Sequence, residues 1–410
     1  MNALTSFDRY VPEAHHPDWE GLDAEAAELA DAILPGLARP RRGPKEARRR
    51  GRAWATAARN FAINRRRHRA GRWDLLPLYF IWTTLRSCNF ACTYCDDHRG
   101  RKYPDLPTAG TLDTEQALRL LRVMRTGTSS VYFAGGEPTL RRDLPQLVRA
   151  ARDLDYHPIV VNTNASIFHK LLRKEEWSTF LADVDILVVS LDGLDPDDLA
   201  RTWVTRRPED VLRNLLLLRG LAESMGVKLL VNTVVRPGHV DDAAAVLDFA
   251  VDLGLWFTPV PQNDGPRATA GLQDDAAYRG LARQILAAKD RGARITGSRR
   301  MNERLLKGAP LRCRNTLKPH VDFDGRLAWP CKASVQAEPT WVDVLQFDDV
   351  DTLYAHASTL RDPTDFHGPG PEQCGADCNW AQNYSTDEYV HGLEHPGRLF
   401  GVVREFLGRR

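Results

Sequence analysis

The sequence lacks any long apolar run and any signal-peptide pattern. No stretch of its 410 residues approaches the roughly 20 apolar residues that a membrane-spanning helix needs. The N-terminal segment carries Asp8, Glu13 and Asp18, so it lacks the basic-then-apolar order of a secretory signal. These absences predict a cytoplasmic protein.

Cysteine is also scarce, and its distribution is uneven. The seven cysteines form two groups: Cys88, Cys92 and Cys95, and then Cys313, Cys331, Cys374 and Cys378. Because cytoplasmic thiols stay reduced, two such groups favour metal binding over disulfides.

The chain is long enough for one large core with smaller modules at its ends, since 43% of its 410 residues are hydrophobic. Its formal charge of +2 conceals an asymmetry. Residues 37–72 contain 14 Lys and Arg against one Glu, so the remaining chain is acidic. One strongly basic arm is therefore predicted beside an acidic body.

Residues 1–75 are predicted to form a helical extension outside the core. Apolar residues recur at spacings of three and four along an acidic helix: Trp19, Leu22, Ala26, Leu29 and Ile33. A second helix, from about Glu46 to His68, carries Trp54, Ala58 and Phe61 on one side and arginines around the rest. Residues 37–72 are interpreted as either a solvated tether or an electrostatic dock, for example for an anionic membrane surface. Nucleic acid is the less favoured partner.

Residues 76–300 alternate short apolar runs with amphipathic helices, which is typical of parallel βα units. Strands are predicted near 78–85, 130–134, 158–162, 185–190, 227–234 and 255–260, with helices at 113–125, 141–154, 209–224 and 240–252. Six units suit a partial (β/α)6 barrel of the α/β class, with its active site at the C-terminal strand ends.

Residues 301–410 are predicted to form a small, Cys-rich α+β domain. Prolines interrupt the βα pattern there, and Asp324-Gly325-Arg326-Leu327 reads as the turn of a β-hairpin.

The first cysteine group is Cys88-x-x-x-Cys92-x-x-Cys95, just past the first predicted strand. Three thiolates could complete a structural zinc site with a fourth ligand such as His98. They suit an iron–sulfur cluster equally well, with one iron left open.

The next predicted strand runs into Gly135-Gly136-Glu137-Pro138. Two glycines let the backbone approach a ligand closely, and Glu137 offers a carboxylate to an ammonium group. Together with the cysteine triplet, this turn resembles the radical S-adenosylmethionine superfamily, over roughly residues 78–260.

The resemblance implies a set of cofactor contacts. Beyond Gly135, Gly136, Glu137 and Pro138, the implied contacts are Tyr94 beside the adenine, Ser190 and Asp192 at the ribose and carboxylate, Asn164 and Asn232 along the nucleoside, and Arg206 as a carboxylate clamp. Asn164, Asn232 and Arg206 can equally be ordinary polar residues at strand ends or on a helix. No catalytic acid or base is identified.

The resemblance also implies the chemistry. A [4Fe–4S] cluster on Cys88, Cys92 and Cys95 would cleave S-adenosylmethionine reductively, and the 5′-deoxyadenosyl radical would take hydrogen from a substrate. An electron donor such as flavodoxin or ferredoxin is then an expected partner.

The second cysteine group resembles a Twitch module, the shortened form of the SPASM domain, which implies one auxiliary [4Fe–4S] cluster on Cys313, Cys331, Cys374 and Cys378. The gap from Gly325 to Cys331 is one residue longer than the usual pattern, and a structural zinc site is the alternative. Because three and four ligands use every cysteine, none remains to return hydrogen to a substrate radical. A two-electron oxidation or a radical bond formation, with the electron passed to the auxiliary cluster, is therefore expected.

The substrate class stays open at this point. Relatives with SPASM-type modules modify ribosomal peptides, and compact relatives with a Twitch module oxidise carbohydrate-like molecules, while the basic arm admits a lipid-linked substrate. A non-enzymatic iron–sulfur or zinc-binding interaction protein is disfavoured, since it would need neither Glu137 nor the Ser190 and Asp192 pair.

Overall fold

The computed structural model describes residues 19–33, 43–95, 108–177, 179–332, 340–364 and 378–397. The helices of this part are α1 (Trp19–Ile33), α2 (Pro44–Arg69), α3 (Thr114–Gly127), α4 (Leu144–Asp153), α5 (Phe168–Leu171), α6 (Phe180–Asp183), α7 (Pro196–Trp203), α8 (Glu209–Met225), α9 (Val240–Asp252), α10 (Ala276–Asp290), α11 (Arg299–Leu306), α12 (Val350–Leu360) and α13 (Ala381–Glu394). The strands are β1 (Phe80–Thr83), β2 (Val131–Ala134), β3 (Ile159–Thr163), β4 (Ile186–Ser190), β5 (Lys228–Val235), β6 (Trp256–Pro261), β7 (Asn263–Asp264), β8 (Arg267–Ala268), β9 (His320–Val321), β10 (Arg326–Trp329) and β11 (Thr340–Asp343).

The main sheet runs in the order β11-β10-β9-β1-β2-β3-β4-β5-β6. Strands β1 to β6 are parallel to their neighbours, and helices connect them in chain order. This arrangement confirms the predicted α/β class and the partial (β/α)6 barrel. All six predicted strands and all four predicted helices are present, with bounds within a few residues of those expected.

The two faces of the sheet are filled differently because side chains alternate along each strand. Val131 and Phe133 of β2 belong to the large core between sheet and helices. The opposite, inner face carries a small apolar cluster of Val160, Val188 and Leu230. One step closer to the C-terminal strand ends, this inner face turns polar, with Ser190, Asn232 and Thr258 side by side in register.

The C-terminal strands extend the barrel sheet. Strand β9 pairs parallel with β1, and β9 and β10 form the predicted hairpin. The predicted boundary between residues 300 and 301 falls inside α11. Because β9 pairs with β1, the edge of β1 has a hydrogen-bonding partner. If residues 301–410 formed an independent sheet, that edge would be exposed. The division at 301–410 stays a prediction, but its strands do not form a separate sheet.

The N-terminal helices pack on the core, which corrects the expectation that they lie outside it. Leu22 and Leu29 of α1 are buried in the main core. Helix α2 buries Glu46, Arg49, Ala53, Asn60 and Asn64. The expected strip of Trp54, Ala58 and Phe61 is not its packed face: Trp54 is 39% exposed and Ala58 is exposed, while Phe61 is half-buried.

Polar contacts explain why a different face of α2 is buried. Arg49 donates to Asp185 at 3.0 Å and to Glu46 at 2.8 Å. Asn60 donates to the carbonyl of Gly127 at 2.7 Å. Buried charges persist only when paired, so this network fixes the register of the helix. Residues 44–69 are therefore not a free tether, and residues 37–42 lie outside the described part. None of the described helices is long and apolar enough to cross a membrane.

Candidate active site

The loop that follows β1 carries the cysteine triplet, and the end of α7 holds it. The amide of Ala91 donates to the carbonyl of Trp203 at 3.0 Å, and that of Thr93 donates to the carbonyl of Thr202 at 3.1 Å. The ring of Phe90 stacks on the Trp203 indole, with centroids 5.4 Å apart. These contacts fix the backbone between Cys88 and Cys95.

The glycine turn after β2 packs directly on the same loop. The amide of Gly136 donates to the Leu85 carbonyl, and that of Glu137 donates to the Ser87 carbonyl, both at 2.8 Å. A Cβ on Gly136 would lie 2.2 Å from the Ser87 oxygen, and one on Gly135 would lie 2.6 Å from the Leu85 oxygen. The space beside both glycines is therefore taken by the cysteine loop. The predicted approach of a ligand to the backbone of these glycines stays untested.

Glu137 is buried, and its hydrogen bonds lie within the protein. Its Oε1 accepts from the amide and hydroxyl of Thr139, at 3.0 and 2.6 Å, and from the Thr163 hydroxyl at 2.7 Å. Its Oε2 accepts from the amide of Asn164 at 2.6 Å. Burial raises the pKa of Glu137, and these hydrogen bonds oppose that rise. The carboxylate thus ties the end of β3 to the 3₁₀ turn that begins at Pro138. The predicted contact with an ammonium group stays untested.

Asp192 is likewise surrounded by donors of the protein. Its Oδ2 accepts from the Trp203 indole at 2.8 Å and from the Tyr94 hydroxyl, and its Oδ1 accepts from the amide of Val234 at 2.8 Å. Burial raises the pKa of Asp192. These bonds make Asp192 a support for Tyr94, the residue before Cys95. Ser190 lies on the inner face of β4, and the predicted contacts of Ser190 and Asp192 with the ribose and carboxylate stay untested.

The other predicted cofactor residues occupy different positions. The amide side chain of Asn164 donates to Asn89 Oδ1 at 2.9 Å and lies 4.0 Å from the Cys88 sulfur. Asn232 stands in register with Ser190. Arg206 is exposed on the loop after α7 and forms no ion pair among the described residues.

Three residues of this site were missed from the sequence: Asn89, Trp203 and Arg236. Buried Arg236 donates to the Thr202 hydroxyl at 2.9 Å, and its guanidinium lies 5.9 Å from the centroid of the Tyr94 ring. A tryptophan at the end of an amphipathic helix indicates only core packing, so Trp203 gave no signal. Arg236 directly follows β5, so its place at the C-terminal end of a strand was the signal that could have identified it.

The thiols of the triplet are close enough to influence one another. Burial raises the pKa of Cys88 to about 12, with additions from Glu137 and Cys95. Burial, Cys95, Asp192 and Cys88 raise the pKa of Cys92. Metal ligation would have to release these protons, as thiolate ligation does generally.

The spread of the three sulfurs bears on the kind of metal group. Among the described residues, the groups whose ligand atoms all lie within 4.8 Å of one another do not include these cysteines. A single zinc with Zn–S bonds of about 2.3 Å would hold thiolates about 3.8 Å apart. At least one pair of these sulfurs is therefore farther apart than a single zinc would hold them, and three soft thiolates suit an iron–sulfur cluster. The alternative zinc ligand His98 lies outside the described residues.

Two cysteines of the second group, Cys313 and Cys378, lie near the start of α13. Cys313 and Cys378 are buried in one apolar cluster with Leu305, Leu311 and Tyr384. Buried Cys331 follows β10, and Cys374 lies outside the described residues. Asn383 donates to the Cys378 sulfur at 3.4 Å, and the Thr386 hydroxyl lies 3.8 Å from the Cys313 sulfur. Such donors stabilise thiolates.

Comparison with known proteins identifies the class of the barrel. Residues 82–250 match the model of the Radical SAM superfamily. A GTP 3',8-cyclase of Mycobacterium sp. (strain KMS) is 35% identical over 179 residues, which are 43% of this chain and 49% of that protein. The chain spans about half the length of the curated relatives it matches.

Two solved structures share the fold. Streptococcus suis SuiB bound to S-adenosylmethionine aligns with a TM-score of 0.53 at 20% identity, covering 72% of this chain and 70% of that one. The protein anSMEcpe with bound AdoMet aligns with a TM-score of 0.51 at 16% identity, covering 80% and 98%. Residues 82–250 therefore form a radical SAM domain, and the resemblance inferred from Cys88, Cys92, Cys95 and the glycine turn is confirmed. S-adenosylmethionine and a [4Fe–4S] cluster are the cofactors of this class.

Proposed function

We propose that this protein is a radical S-adenosylmethionine oxidoreductase that removes two electrons from a small polar substrate, either as an oxidation or as a radical bond formation. The observation that carries the proposal is the meeting of three elements at one edge of the sheet: the cysteine loop, the glycine turn and the end of β4. The bound cofactors would supply electron transfer, carbon–sulfur cleavage and a 5′-deoxyadenosyl radical.

The protein's own residues position these groups. Cys88, Cys92 and Cys95 would hold the cluster, and Trp203 keeps their loop in place through the Ala91 amide and the Phe90 ring. Asp192 orients Tyr94. Fixed supports of this kind matter because a displacement of about 1 Å at a reacting centre costs roughly 100-fold in rate.

An auxiliary cluster on Cys313, Cys331, Cys374 and Cys378 would receive the substrate's second electron, while the accompanying proton leaves to solvent or to a base. Buried Lys318 supports an anionic group at this place. Its ammonium donates to the Gln382 carbonyl and forms no ion pair with a carboxylate among the described residues. Burial lowers the pKa of Lys318 to about 7, and the charge of Cys313 acts in the opposite direction. A dianionic cluster beside Cys313 would compensate this buried cation.

The inner face of the barrel suggests a polar substrate. Asn162 Oδ1 and Thr258 Oγ1 are both buried there, and neither has a hydrogen-bond partner among the described residues. Buried polar atoms without partners are uncommon, so they indicate groups that a ligand would satisfy. Thr258 stands in register with Asn232, one step above Leu230 of the apolar cluster, whereas Asn162 stands in register with Val188 of that cluster.

A peptide substrate is the second candidate, because one structural relative is SuiB bound to precursor peptide SuiA. Within the described N-terminal residues, 19–33 and 43–79, the chain forms helices α1 and α2 and no strand. These residues therefore offer no edge strand for peptide pairing, and the small polar substrate is preferred.

Iron content and electron acceptance test the proposal together. Anaerobically reconstituted protein should contain about eight irons per chain, and about four in both Cys88/Cys92/Cys95→Ala and Cys374→Ala/Cys378→Ala. The second variant should still cleave S-adenosylmethionine but lose product formation. One zinc with four irons in the wild type would contradict electron transfer to an auxiliary cluster.

A further inference from the structure

A different set of metal-binding side chains lies at the end of α13, opposite to the end near Cys378. Ligand atoms of His391, Glu394 and His395 all lie within 4.8 Å of one another. The spacing of three and four residues places them on one helical face. The two imidazole rings meet edge to face, with centroids 4.7 Å apart.

A fourth side chain, from another helix, contacts Glu394 of this group. His68 lies in the last turn of α2, and its Nε2 is 3.4 Å from Glu394 Oε1. His68 Nδ1 and His391 Nε2 are buried atoms that have no hydrogen-bond partner among the described residues. The unpartnered His391 nitrogen belongs to the α13 group and indicates an atom that a ligand would satisfy. The His68 nitrogen that faces Glu394 is Nε2, not the unpartnered Nδ1.

The surrounding charges leave one oxygen of Glu394 available for a metal ion. Arg312 donates to Glu394 Oε2 at 2.6 Å, which leaves Oε1 facing His68.

We propose that His391, Glu394 and His395 bind one transition-metal dication such as Zn²⁺, with His68 as the fourth ligand. Three imidazoles and one carboxylate match the nitrogen and oxygen donors that zinc accepts in tetrahedral sites. Helix α2 lies early in the chain and α13 lies late, so the ion would link two helices that are far apart in sequence. This site is independent of both cysteine groups.

Zinc content of the reconstituted holoenzyme tests the site. Protein without a histidine tag is dialysed anaerobically against micromolar Zn²⁺, and zinc and iron are counted by mass spectrometry. The wild type should hold one zinc more than His391→Ala/His395→Ala, at equal iron content. His356→Ala is the matched control, because His356 is an exposed histidine on α12 and should leave the zinc count unchanged.

The metal-mediated link between α2 and α13 is tested separately from metal binding by the α13 residues. Zinc should raise the melting temperature of the wild type and of His356→Ala, whereas His68→Ala should bind zinc at least about tenfold more weakly and show a smaller rise. His395→Ala changes an exposed side chain and serves if the double variant fails to fold. Equal zinc content in wild type and His395→Ala would overturn the site. Unchanged zinc affinity in His68→Ala would overturn the link between α2 and α13.

Discussion

The contact between the glycine turn and the cysteine loop makes Gly136→Ala the sharpest perturbation of the active site. The added Cβ would lie 2.2 Å from the Ser87 oxygen and 2.4 Å from the Arg86 oxygen, both of them backbone atoms. Restoring ordinary contact requires the turn and the loop to separate by about 1 Å or more. Such a shift would weaken the hydrogen bonds from Gly136 to Leu85 and from Glu137 to Ser87.

The expected consequence is a loss of both rate and stability. A displacement of about 1 Å corresponds to roughly a 100-fold lower rate of 5′-deoxyadenosine formation. Overpacking should lower the free energy of unfolding by about 1–3 kcal/mol. Deoxyadenosine is measured by chromatography after reduction with dithionite, with iron content determined on the same sample.

A helical glycine supplies the control for this variant. Gly280 of α10 has open space beside it, because the nearest atom to an added Cβ, at 4.0 Å, is the far end of the Arg283 side chain. Gly280→Ala should therefore be neutral or stabilise the helix by up to about 1 kcal/mol and leave the rate unchanged. Wild-type deoxyadenosine formation in Gly136→Ala at full iron content would refute the reasoning.

Two other variants test supports of the fold and of the site. Burial alone would raise the pKa of Glu46, but Arg49, Arg50 and Arg152 outweigh it and lower the pKa to about 2 from 4.5. Glu46→Gln should therefore cost about 3–5 kcal/mol in urea unfolding at pH 7. The difference in free energy of unfolding between wild type and Glu46→Gln should be largest above pH 4.5 and should shrink as the pH falls toward 2. An unchanged difference at low pH would count against the ion network. Trp203→Phe keeps a ring against Phe90 but removes the indole donor to Asp192, and it should cost about 1.5–3 kcal/mol and slow deoxyadenosine formation. Trp177→Phe in the main core serves as its control, and equal rates in the two variants would exclude a positioning role for Trp203.

Much of the barrel could be predicted from the sequence, because each βα unit is a local pattern. Strand β2 is a short run of apolar residues, and helix α3 begins with a capping box at Asp113 and Gln116. The C-terminal ends of parallel strands meet at one edge, so the loops after β1, β2 and β4 were expected to lie together.

The remaining features depend on partners far apart in the chain. The buried face of α2 is set by Asp185, Gly127 and Leu76, which no helical periodicity of residues 44–69 reveals. A spacing rule that looks for apolar residues therefore selected Trp54 instead. The hydrogen bond from Trp203 to Asp192 could not be predicted from a local sequence pattern either, since it joins the end of β4 to the end of α7.

Reductive cleavage of S-adenosylmethionine tests the central claim most directly. Reconstituted wild-type protein with a strong reductant should form 5′-deoxyadenosine and methionine, and Cys92→Ala should form none, because its loop then lacks one of three cluster ligands. If wild-type protein with an intact, reduced cluster yields no deoxyadenosine, even with cell extract as a source of substrate, the proposed function is wrong.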